Sequence, residues 1–91
     1  MYLKEFPEEP TLNLLEKAIL EKRYNDAFTY GHALKGLAGN LGFIPLFQAT
    51  AELVLLLRDK KIEDLDHVFQ EVKTRYNYVV VSIRKGLESN Q

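Results

Sequence analysis

Leu12, Leu15, Ala18 and Ile19 recur at spacings of three, three and one, which places them on one face of a helix predicted from about Thr11 to Lys22. Thr11 suits its N-cap, since a hydroxyl there can accept a hydrogen bond from an N–H of the first turn. The pattern breaks at Tyr24-Asn25-Asp26, where Asn25 or Asp26 can cap a second helix reaching Asn40 or Leu41. Gly42 fits the left-handed residue past that helix, and Pro45 fits the first turn of a third helix ending near Arg58. A short polar turn, Arg58-Asp59-Lys60-Lys61, follows. Beyond it Ile62, Leu65, Val68, Phe69, Val72, Tyr76, Val79, Val80, Ile83 and Leu87 form one apolar stripe at helical spacing. The β-branched run inside it, Tyr78 to Ile83, has strand propensity, but the long 3.6-residue period overrules it. Four amphipathic helices joined by short turns predict an all-α protein, an antiparallel four-helix bundle running up-down-up-down.

The second helix carries an anomaly. Its stretch GHALKGLAGNLG, from Gly31 to Gly42, holds four glycines and one of two histidines in the chain. Gly31, Gly36 and Gly39 fall in the helix interior, where each costs about 1 kcal/mol relative to alanine. A total of about 3 kcal/mol is a large part of the stability of a small domain. On a wheel of about 100° per residue with His32 at zero, Lys35 lies near about −60°, Gly36 near about 40° and Gly39 near about −20°. Tyr30, Leu34, Leu37, Ala38 and Leu41 gather around the opposite side. His32 is therefore expected to point away from the core, beside a long cation, with hydrogen atoms for neighbours one and two turns on. Glycines that serve close helix packing belong on the buried stripe, so packing accounts poorly for Gly36 and Gly39. An accessible imidazole is a nucleophile near neutral pH, and Lys35 would offset charge on an anion attached to it.

The residues HALKGLAGNLG resemble the signature of the histidine phosphotransfer (HPt) domain family. In that signature a histidine is followed by an aliphatic residue, Lys-Gly, a small residue three beyond the lysine, and an aliphatic-Gly pair. The resemblance runs roughly from Phe6 to Leu87 and is strongest from Asn25 to Arg58. It implies a four-helix bundle whose histidine takes a phosphoryl group from a receiver-domain aspartate and returns it. It implies that His32 is the phosphoacceptor, that Lys35 steadies the phosphoryl group and that Gly36 leaves it room. Gly39 and Arg58 would lie in the vicinity of the phosphate, Arg58 matching a position where some members carry a basic residue. The implied partners are response-regulator receiver domains and a hybrid histidine kinase. No cofactor is expected on this chain, the Mg²⁺ being held by the receiver. Two departures stand out. Many members place Gln or Glu on the third helix to orient the second imidazole nitrogen, where this chain has Val54. The start MYLKEF looks like the end of a longer helix, so residues 1–91 are read as a single HPt-like domain with a truncated first helix. Leu3 and Phe6 on that otherwise polar start suggest under-covered apolar surface, and a monomer or weak dimer is expected.

Composition narrows the field. Ninety-one residues suffice for one domain with a modest core, and 46% hydrophobic with 27% charged is ordinary for a globular protein. A net charge of −1 without charge blocks predicts neither a nucleic-acid nor a lipid-headgroup surface. The absence of cysteine removes disulfides and thiolate metal sites. The longest strongly apolar run, Leu53 to Leu57, is far too short for a bilayer, and a cytoplasmic protein is expected.

Other chemistry-bearing residues carry less. His67 is expected on a solvated face, and no metal site is predicted. Glu8 and Glu9, between prolines, read as turn residues. Tyr2, Tyr24, Tyr30 and Tyr76 read as packing residues, and Tyr78 as an exposed one. Phe28 and Phe43 both fall within about 40° of His32 on the wheel and would form an apolar docking surface around it, with Gly39. Phe43 lies beyond the helix and could equally fold back into the core. No Gly-rich phosphate loop follows a strand, and no serine has a base at motif spacing. The chain is thus expected to be a phosphorelay carrier without its own nucleotide site, and not an enzyme. The alternative is a helical interaction module that uses the same face without phosphorylation; a kinase fragment would need a dimerisation helix pair and an ATP domain.

Overall fold

A computed structural model describes the backbone of residues 10–89 and the side chains of residues 10–86. Leu3, Phe6, Tyr2, Glu8, Glu9 and the Leu87 side chain lie outside the described residues. Within them the chain forms four helices and no strand: α1 Thr11–Leu20, α2 Tyr24–Leu41, α3 Ile44–Arg58 and α4 Leu65–Ser89, with a 3₁₀ turn at Ile62–Asp64 before α4. The valines from Val79 to Val81 sit in the middle of α4, as the long period predicts.

Three helix ends close in the same way, each with a left-handed residue that turns the chain back on its own carbonyls. α1 stops at Leu20, two residues before the predicted end, because Lys22 adopts a φ of 60°. The N–H of Arg23 then donates to the Ala18 carbonyl at 2.8 Å, and that of Lys22 to Ile19 at 3.0 Å. Gly42, with a φ of 77°, closes α2 as expected, and the Phe43 N–H donates to the Ala38 carbonyl at 3.0 Å. Lys60, with a φ of 58°, closes α3 through the Lys61 N–H and the Leu56 carbonyl at 2.9 Å.

The starts differ more from expectation. Pro10, not Thr11, occupies the cap position of α1. Arg23 occupies that of α2, because the Ala27 N–H already reaches the Arg23 carbonyl at 2.9 Å. Asn25 and Asp26 consequently lie in the first turn, where Asp26 accepts a hydrogen bond from Arg23 at 2.7 Å. Ile62 falls in the 3₁₀ turn and is 48% exposed, so the buried stripe of the last helix begins at Leu65.

Lysine is an uncommon choice for a left-handed position, which disfavours any side chain with a Cβ. Lys22→Gly is therefore expected to stabilise the fold by about 0.5–1 kcal/mol, read as a rise of several degrees in thermal midpoint. A lowered midpoint would count against strain at this residue.

The core is built from one stripe of each helix: Leu15 and Ala18 of α1, Leu34 and Ala38 of α2, Leu46 and Leu53 of α3, and Phe69 and Val72 of α4 are all buried. α2 and α3 run antiparallel, since Gly31 meets Val54 and Leu57 while Gly39 meets Phe47. A Cβ on Gly31 would lie 3.2 Å from Val54 Cγ2, so this buried glycine sets how closely the two helices approach. Thr50 is fully buried and donates its hydroxyl proton to the Leu46 carbonyl at 2.6 Å, which satisfies it within α3. Lys73 of α4 pairs with Glu16 of α1 at 2.9 Å. Among the described residues no helix is long and apolar enough to cross a membrane.

Candidate functional site

The middle of α2 turns one flank outward beside α3. His32 is exposed on that flank, with the half-buried Phe28 one turn before it. The two ring centroids lie 6.2 Å apart and the planes are tilted by 46°. No hydrogen bond from a protein group reaches the His32 ring among the described residues. Lys35, one turn on, is half-buried and lays its Nζ 5.9 Å from the centroid of the Phe47 ring on α3.

The two outward glycines have different surroundings. A Cβ on Gly36 would meet nothing within 4 Å, so the space beside His32 is open there. A Cβ on Gly39 would lie 3.1 Å from Phe47 Cδ1, so its space is filled by that ring. Packing, against which the wheel of α2 counts, therefore does account for Gly39. A single-helix wheel carries no information on where the neighbouring helix lies.

The remaining positions are spread along the bundle. Val54, expected to stand where a polar partner for the imidazole would be, is buried in the α2–α3 seam against Gly31. Arg58 is the last residue of α3, exposed, with its Nε 3.1 Å from Asp59. The pairing of Gly31 with Val54 and of Gly39 with Phe47 brings Arg58 level with Phe28, about one turn from His32 along the bundle. Phe43 is half-buried and packs against the core. It also lines a groove of about 800 Å³ with Ile44, Tyr78 and Ile83 at the Gly42 end. The structure thus brings Phe28, Lys35 and Gly36 together with His32, while Phe43 lies about three turns away. His67 and Tyr78 are exposed on α4. Among the described residues no group of three or more His, Cys, Asp or Glu side chains is arranged to hold a metal ion.

Sequence reasoning missed the contribution of α3. With Phe47 at zero on a wheel of that helix, Ile44 lies near about 60° and Leu55 near about 80°, on the side that flanks the α2 contact outward. Both are exposed, 55% and 48%; by the register Leu55 stands level with Gly31 and borders the His32 flank, whereas Ile44 stands at the Gly42 end, about three turns away. The signal was present in the spacing of Ile44, Ala51 and Leu55, but reading it required the register of α3 against α2.

An all-helical domain that presents a histidine on an open helix flank, with a lysine one turn on and a bare glycine beside it, has the form of a phosphocarrier. The chain matches the Hpt domain family over residues 1–81 and belongs to it. Hpt domains carry phosphoryl groups on histidine in two-component phosphorelays, work with receiver domains and are carriers, not enzymes. No curated protein and no solved structure matches the chain.

Proposed function

We propose that this chain accepts a phosphoryl group on His32 from the aspartyl phosphate of a receiver domain and passes it to the aspartate of another receiver. In the forward step the lone pair of His32 Nε2 attacks phosphorus in line. The N–P bond forms, the P–O bond to the aspartate breaks, and the electron pair leaves with the carboxylate. The return step reverses this. Phosphoryl transfer asks a protein for position and compensating charge more than for covalent chemistry. The rigid α2 gives the position, Lys35 gives the charge and Gly36 gives the room. Mg²⁺ belongs to the receiver side of the complex, and no nucleotide site is assigned to the chain. The observation that carries this reading is the exposed imidazole in mid-helix, next to a glycine whose absent side chain leaves open space.

We further infer a single cytoplasmic domain, with short turns leading each helix back along its predecessor in an up-down-up-down bundle. Phe28 and Leu55 offer a receiver or a hybrid histidine kinase an apolar border beside the imidazole, and Ile44 continues exposed apolar surface toward the Gly42 end.

The test is to mix the protein with a phosphorylated receiver and assay the chain for acid-labile, alkali-stable phosphate. Binding without labelling would replace the carrier by an interaction module. Lys35→Ala is expected to slow transfer and shorten the phosphohistidine lifetime without abolishing labelling. A cation about 4 Å from the phosphoryl oxygens contributes at most ~4 kcal/mol at an effective dielectric near about 20, less where water and salt screen it. An unchanged rate and lifetime would remove the lysine from the site.

A further inference from the structure

We propose that Phe47 is a positioning residue, whose ring occupies the space that Gly39 leaves on α2 and holds the Lys35 ammonium ready for the phosphoryl group on His32. The inference rests on the carrier function argued above. Three observations converge on it. The Phe47 ring lies so close to Gly39 that a Cβ there would stand 3.1 and 3.2 Å from two of its carbons. The Lys35 Nζ lies 5.9 Å from the centroid of the same ring. Lys35 itself is half-buried, although a lysine on an open flank is free to extend into water.

The physical sequence runs from the glycine outward. Glycine at position 39 weakens α2 relative to alanine, and what replaces its side chain is an aromatic face brought across the seam from α3. That face attracts a cation through its quadrupole, at a separation within the usual range of about 6 Å. A lysine stem has many rotamers, and freezing them when an anion arrives opposes the contact. A stem already laid across the α2–α3 seam has less freedom left to lose. When the phosphoryl group reaches His32, its full negative charge outcompetes the ring, and the ammonium moves to it without a search. Phe47 acts through Lys35 and touches no reacting atom.

The experiment uses the full chain, with matched circular dichroism as the check on folding. In the unphosphorylated protein the ring current of Phe47 should displace the Lys35 ε-methylene resonances. Phe47→Leu should return them to free-lysine values, whereas Phe47→Tyr should keep them displaced. With a phosphorylated receiver as donor, Phe47→Leu should lower the transfer rate or phosphohistidine lifetime about two- to five-fold, the scale of an exposed cation–π contact. Phe47→Tyr should restore it. In the Lys35→Ala background, Phe47→Leu should change nothing further. Gly39→Ala, which keeps α2 helical but pushes the ring away, should reproduce the Phe47→Leu effects and serves if that variant folds poorly. A Phe47→Leu chain that transfers normally, a loss of equal size without Lys35, or undisplaced Lys35 resonances in the wild type would overturn the proposal. A wild-type chain that no receiver labels would instead remove the carrier function and this role together.

Discussion

His32→Gln is expected to abolish phosphoryl acceptance from a phosphorylated receiver while leaving the helical signal and thermal midpoint nearly unchanged. The two halves of this result have separate causes. Glutamine offers an amide whose nitrogen lone pair is delocalised, so it has no nucleophile in place of the imidazole nitrogen. The fold loses little because His32 is exposed and its only ring neighbour among the described residues is Phe28, at 6.2 Å between centroids. Surface substitutions away from packed or hydrogen-bonded groups usually change stability by less than about 0.5 kcal/mol. His67→Gln, on an exposed face of α4, is the matched control and should still be labelled. Phosphate appearing on the His32→Gln chain would assign the chemistry to another residue.

The second large effect is expected at Gly36. Gly36→Gln should leave the fold intact or stabilise it by up to ~1 kcal/mol, because glutamine is the better helix former and the added Cβ meets nothing within 4 Å. The same side chain would stand in the open space one turn from His32 and block the approach of a receiver. A more stable protein that has lost its transfer activity is the expected outcome, and thermal melts paired with transfer rates would read it. Normal transfer by Gly36→Gln would show that access beside His32 is not limiting. Gly31 gives the contrast: a Cβ there would lie 3.2 Å from Val54 within the seam, so enlarging it strains packing instead of access.

The helices and the exposure of His32 were legible from periodicity alone, because apolar stripes report which face of each helix is buried. Where the helices end was less legible. Lys22 and Lys60 take left-handed conformations that their residue type does not announce, whereas Gly42 announces its own. The site divided along the same line. His32, Lys35 and Gly36 lie on one helix, and a wheel relates them. Gly39 with Phe47, and Val54 with Gly31, are relations between two helices, fixed by a register that hydrophobic spacing leaves undetermined. Phe43 sits past the end of α2, where the backbone turns and the wheel no longer applies. There it packs partly into the core, one of the two outcomes its position allowed.

The described part of the molecule is a rod, 46 Å long and 19 Å across in both other directions. α2 runs for about 27 Å along it, so a partner gripping the His32 flank from one side meets a strip of roughly 500 Å². Both partners together then bury about 1,000 Å², at the low end for specific association and typical of short-lived encounters. A narrow rod therefore limits the area that one such face can bury. On the carrier reading proposed above, a component that serves two partners in turn has to release one before it takes the other, and a small contact area is compatible with that.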